Sequence, residues 1–161
     1  MRDRDFERLY EEHAQGLFGF LAYRTGDRIL AEDLVADTFE RVLRSRARFD
    51  PRKGRQKAWV YAIALNLLRD SARRTQTESR ALEAATVGAG PAEAWPHEAL
   101  DERDQLRRAM ERLSQEERDV VALRFGADLP VKDIATTIGE SVTTTEGRLY
   151  RALRKLKGEL S

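Results

Sequence analysis

The sequence predicts an all-α protein: two small helical domains joined by a flexible linker, the C-terminal one a helix-turn-helix. Three observations predict this. Apolar residues recur at three- and four-residue steps through most of the chain, the spacing of a single buried helix face. No stretch alternates apolar and polar residues with period two, so essentially no strand is expected. From Thr75 to about Ala99 the periodicity stops, in an Ala-, Gly-, Glu- and Pro-rich stretch holding Gly88-Ala89-Gly90-Pro91 and Trp95-Pro96, the composition of a linker. The expected parts are a first domain at 1–75, an acidic linker at 76–99 with a helical turn near Arg80–Ala85, and a second domain at 100–161.

In the first domain, Phe6, Leu9, Tyr10, His13, Leu17, Phe18 and Leu21 form one stripe of an opening helix. Gly26-Asp27 ends it, and Asp27 is placed to cap a second helix with the stripe Leu30, Leu34, Val35, Thr38, Phe39 and Val42. The other face of that helix is acidic first and basic last, favourable for the helix dipole. Phe49-Asp50-Pro51-Arg52-Lys53-Gly54 is a loop by its Pro and Gly. A third helix is expected from about Gln56 to Arg74, with Trp59, Val60, Ile63, Ala64 and Leu67 inward and Tyr61, Asn66, Arg69, Arg73 and Arg74 largely on other faces.

In the second domain Leu106, Ala109, Met110 and Leu113 form a stripe. Ser114-Gln115-Glu116-Glu117 has the pattern of a capping box, and Val120, Val121, Leu123 and Phe125 supply the next core face before Gly126. Pro130 suits the first position of a short helix whose Ile134, Ala135 and Ile138 point inward, and Gly139 makes a turn. Ser141 or Thr143 then caps a last helix; Thr143-x-x-Glu146 also fits a capping box, and the sequence does not choose between them. Val142, Leu149, Leu153 and Leu156 are its expected core face, opposite Thr143, Thr144, Gly147, Arg148, Arg151 and Lys155.

The net charge of +1 hides a polarised chain. Arg41 to Arg74 is strongly basic, Thr75 to Asp101 acidic, and Arg148 to Lys157 basic again. Two basic surfaces around an acidic spacer suggest two contacts with an anionic polymer, joined by a segment that avoids it. In a helix-turn-helix the second helix meets base edges with its N-terminal residues. Thr143, Thr144 and Arg148 are therefore candidates for base contact, and Arg151, Arg154 and Lys155 for phosphates. Upstream, the loop cations Arg52, Lys53, Arg55 and Lys57 precede a helix bearing Tyr61, Asn66, Arg69, Arg73 and Arg74. Charge, an aromatic face and an amide are the means of holding unpaired bases. Trp59 lies on the core stripe and is assigned there first.

The chain has no cysteine, which excludes a disulfide scaffold, a thiol nucleophile and a thiolate metal site. The two histidines, His13 and His97, stand on a helix stripe and in the linker, and the acids lack metal-ligand spacing. No enzyme activity and no cofactor are expected. The N-terminus is charged without an apolar signal core, and no apolar run approaches the roughly 20 residues of a membrane span; a cytoplasmic protein is expected.

Several of these segments, in this order, resemble a known family. Gly26-Asp27, the run Ala31 to Val42, Phe49-Asp50-Pro51 and the run Trp59 to Asn66 resemble regions 2.1 to 2.4 of bacterial extracytoplasmic-function sigma factors. Leu123-Arg124-Phe125, Ile134-Ala135, Ile138-Gly139-Glu140-Ser141 and the run Arg148 to Leu153 resemble regions 4.1 and 4.2. The resemblance implies that Asp33, Asp37, Glu40, Arg41 and Arg44 dock on the β′ clamp helices of core RNA polymerase. It implies that the loop and third helix read a melted −10 element, with Asn66 near a flipped base. The second domain would read a −35 duplex and sit on the β-flap, while the linker threads toward the active-site cleft. Promoter DNA and an anti-sigma factor are the other implied partners, with location at the nucleoid or at a membrane-held anti-sigma factor, and no membrane insertion. The chain departs from the family pattern at Gln56, where an aromatic is common, at Leu65, where a basic residue is, and at Glu146, where a cation is. The alternative reading is a stand-alone helix-turn-helix regulator.

Overall fold

Apolar stripes along three long helices predict a core between them, and the computed structural model, which describes residues 3–79, 105 and 108–160, has that form. Helices α1 (Asp3–Thr25), α2 (Arg28–Ser45) and α3 (Gln56–Ser79) pack on one another. Gly26 closes α1 in the left-handed conformation (φ +68), its N–H donating to the Ala22 carbonyl at 2.8 Å. Asp27 caps α2 as expected, accepting from Ile29 N at 3.0 Å and Leu30 N at 3.1 Å. Two short 3₁₀ turns, Arg46–Arg48 and Pro51–Lys53, lead into α3, and Asp50 caps the second by accepting from Arg52 N. α3 runs to Ser79, past the expected stop at Arg74 and into the expected linker; the turn sought near Arg80–Ala85 lies outside the described residues.

Residues 108–111 are helical, and α4 (Gln115–Val121) then opens on the expected capping box. Ser114 Oγ accepts from Glu117 N at 3.1 Å while Glu117 Oε1 accepts from Ser114 N at 2.9 Å. The chain continues through a π-helical turn, Ala122–Gly126, closed by Ala127 N donating to Ala122 O at 3.0 Å. That extra residue shifts the helical register. Phe125, expected in the core, is consequently 63% exposed.

α5 (Val131–Ile138) and α6 (Val142–Leu160) form the helix-turn-helix. Pro130 is the residue before α5 rather than its first helical position. Gly139 makes the turn at φ +73. Ser141 is the cap: its oxygen accepts from Thr144 N at 3.1 Å. The buried face of α6 is Thr145, Leu149, Ala152 and Leu156, whereas Val142 and Leu153, expected inside, are exposed. Thr145 tolerates burial because its hydroxyl donates to the Ser141 carbonyl at 2.8 Å.

The two halves share one core. Buried residues from Leu9 to Leu156 form a single cluster, and α3 packs against α5 as well as against α2. Among the described residues no helix is long and apolar enough to cross a membrane. Among them, too, no His, Asp or Glu group is placed to hold a metal ion.

Candidate nucleic-acid interface

On α2, Asp33, Asp37, Glu40 and Arg44 recur at steps of four, three and four and form one exposed stripe, with exposed Arg41 at its side. Arg44 is paired with Glu40 along the helix. Beside the stripe Ile29, Ala36 and Leu43 are exposed at seven-residue spacing. Ile29 and Leu43 were outside the expected site; an apolar edge on an otherwise charged outward face was the available signal.

The loop before α3 presents Arg52 and Lys53 to solvent, while Lys57 is half-buried. With Arg55, and with Lys132 of α5, Arg52 and Lys53 line a cleft of about 720 Å³ that holds a single acid, Asp133. On α3 Asn66, Arg73 and Arg74 are exposed. Tyr61 is not. It is 1% exposed and packs edge-on against Phe20 of α1 with ring centroids 5.4 Å apart. Burial pushes its hydroxyl up to about 12, so it stays neutral inside the core. Tyr61 is therefore a core residue and leaves the expected DNA-contacting set. α3 buries two adjacent faces, so a residue off the predicted stripe is still inside. Trp59 is the half-buried aromatic, tilted against Phe49 at 5.1 Å.

Two expected DNA cations face the other domain. Arg69 Nη2 lies 3.5 Å from Asp119 Oδ2, and Arg55 Nε lies 3.5 Å from Asp133 Oδ2. Arg24, at the end of α1, donates to Asp119 Oδ1 from Nη2 at 2.6 Å and from Nε at 2.9 Å. Leu65, where the resemblance leads one to expect a base beside the DNA strand, is 1% exposed and belongs to the shared core.

On α6 the side opposite the buried stripe carries Thr143, Glu146, Tyr150, Arg151 and Arg154, all exposed, as is Thr144 at its edge. Tyr150 was missed by the sequence reading. It is 62% exposed at the middle of that side, with the Arg154 guanidinium over its ring at 5.8 Å. Arg148 is half-buried at the flank and lines a cleft with Arg69 and Asp119. Lys155 has a structural partner: its ammonium donates to Glu117 Oε1 at 2.8 Å, tying α6 to the cap of α4. Burial pushes the Glu117 carboxyl up, but the hydrogen bonds from Lys155 and Ser114 outweigh it and hold the group below its ordinary value.

Residues 9–78 match Sigma-70 region 2, and residues 103–156 match Sigma-70, region 4. The chain is 35% identical over 159 residues to the RNA polymerase sigma factor CarQ of Myxococcus xanthus, covering 96% of this chain and 90% of that one. It is 29% identical over 154 residues to the ECF RNA polymerase sigma factor BldN of Streptomyces coelicolor, covering 94% of this chain but only 58% of BldN. In fold it is similar to the sigma factor RpoE of Bartonella quintana, solved in complex with the anti-sigma factor NepR, with a TM-score of 0.79, 22% identity and coverage of 98% and 97% of the two chains. A stand-alone regulator needs only the C-terminal motif and would leave the region 2 match unexplained. Two matched regions, in order and together spanning most of the chain, place it in the sigma-70 family, among the extracytoplasmic-function sigma factors.

Proposed function

We propose that the chain acts as a sigma subunit, binding core RNA polymerase and directing it to promoters, with no catalysis of its own. The observation that carries this is the separation of three exposed surfaces on one polypeptide. The α2 stripe of Asp33, Asp37, Glu40, Arg41 and Arg44, edged by Ile29 and Leu43, is the polymerase surface. Arg52, Lys53, Arg55 and Lys57, with Asn66, Arg69, Arg73 and Arg74, hold the melted −10 strand. The cations attract phosphates and the amide can pair with an unstacked base edge. The outward side of α6, with Thr143, Thr144, Tyr150, Arg151 and Arg154, enters the major groove of the −35 duplex. An anti-sigma factor that covers these surfaces is the regulatory partner, and the chain works at the nucleoid in the cytoplasm when released.

Run-off transcription from a genomic pool of templates, with core polymerase alone and with this chain added, tests the reading. New promoter-specific transcripts are expected only with both. Asn66→Ala should abolish them while co-purification with core persists. No new transcript, together with no complex with core, would remove the proposal.

A further inference from the structure

The outward side of α6 carries an acid, Glu146, among the exposed cations Arg151 and Arg154. The sequence offers Glu146 a structural role in a capping box with Thr143, but the cap is Ser141, whose oxygen accepts from Thr144 N. Glu146 is the fifth residue of α6, beyond the first turn, where the helix dipole favours an acid. Its neighbours one turn away are Val142, Thr143, Leu149 and Tyr150, none of them a cation. Among the described residues its carboxylate makes no hydrogen bond and no ion pair. Arg151 lies back across Gly147 instead of turning to it: a β-carbon on that glycine would stand 3.3 Å from Arg151 Nη1. Nothing in the fold uses this charge.

The rest of the argument builds on the reading that α6 enters the −35 major groove. The N-terminal residues of a recognition helix meet base edges, and Thr143 and Tyr150 flank Glu146 at steps of three and four on that side. An acid there is repelled by phosphates whatever the sequence, so it lowers affinity for duplex in general. It raises affinity only where a base offers it a donor. In the major groove guanine presents N7 and O6 and thymine O4, all acceptors, while adenine presents an N6 donor beside the N7 acceptor. Cytosine alone presents a donor, its N4 amino group, with no acceptor on that edge. We propose that Glu146 is a specificity-determining residue: it selects cytosine at one position of the −35 element by accepting a hydrogen bond from N4. The acid acts by discrimination, repelled by each wrong base edge and attracted by one right one.

Site selection tests this, with the full-length chain in complex with core polymerase and duplexes randomised across the upstream element. The unsubstituted chain should enrich cytosine at one position. Glu146→Gln should change that position to adenine, whose N6 and N7 a glutamine amide can meet together. Glu146→Ala should leave it without preference, and every other position should hold in all three proteins. On a matched pair of duplexes, N4-methylation of that cytosine should weaken the unsubstituted complex about fivefold or more. The same methyl group should leave Glu146→Ala unaffected. Because the side chain is exposed and touches no partner among the described residues, neither variant should shift the melting temperature. If both variants tightened every duplex equally and moved no base, Glu146 would act through charge alone and the proposal would fall. A methyl effect of equal size in Glu146→Ala would also overturn it. In either case an enriched upstream site leaves the sigma reading standing. No enriched upstream site from the unsubstituted complex would instead remove the −35 role of α6, and this inference with it.

Discussion

The two helices proposed to meet DNA, α3 and α6, are buried in different ways. α6 hides one stripe, Thr145, Leu149, Ala152 and Leu156, and leaves the opposite side to solvent. α3 hides two adjacent faces: Val60, Tyr61, Ala64 and Leu68 serve its own domain, and the line through Ala58 and Leu65 serves the other. A helix with one buried face has a free reading surface. A helix with two has a second partner already in place, and its ligand must compete with that partner. The difference concentrates in Asp119. Asp119→Ala leaves Arg24 buried without a counter-ion and should cost about 3–5 kcal/mol in denaturant melts. A loss below about 1 kcal/mol would mean that the domains are not held by this pair.

The next effect lies inside the C-terminal domain. Because the Glu117 carboxyl is held below its ordinary value of 4.5, the folded state favours its ionised form. Its contribution is then fully present above about pH 4.5 and fades as pH falls through the lowered value. Going from pH 7 to pH 3.5, the unsubstituted chain should therefore lose more stability than Glu117→Gln. Equal acid losses in the two proteins would show that the cap and its Lys155 partner carry no charge-dependent stability.

How much of this was legible in the sequence follows the same division. Where one partner sufficed, the pattern could be read: the caps at Asp27 and Ser114, the turn at Gly139, the buried Leu149 and Leu156. Tyr61 and Leu65 were misplaced because a period of 3.6 defines a face but not how many neighbours the helix has. Phe125 was misplaced by the π turn, which adds a residue without any compositional mark. Tyr150 was overlooked for a simpler reason. An exposed aromatic looks like core to a pattern count until the buried stripe of α6 is known.

Glu146 sharpens the comparison from the open side. It is exposed on the outward face of α6, among Thr143, Tyr150 and Arg151. Glu146→Lys should tighten binding of the −35 duplex and steepen the slope of log K against log salt by about 0.9, one added phosphate contact. The gain should then shrink about three- to fourfold between 0.05 and 0.2 M salt. An unchanged slope would take Glu146 off the DNA face.

The smallest effect is expected at the contact that looks most like a clasp. Arg55 and Asp133 are 3.5 Å apart across the domains, but the arginine side chain is 73% exposed. Water screens such a pair, and its ordered side chain offsets most of the attraction. Arg55→Gln should therefore change stability by no more than about 0.5 kcal/mol, even though it removes a polar link between the halves. That small value gives the variant its use. A large loss of promoter opening in Arg55→Gln can be assigned to the missing phosphate contact, because the fold has hardly changed. A stability loss above about 1 kcal/mol would reverse the assignment. It would place the strength of the domain contact at its solvent-exposed end rather than at Arg24 and Asp119.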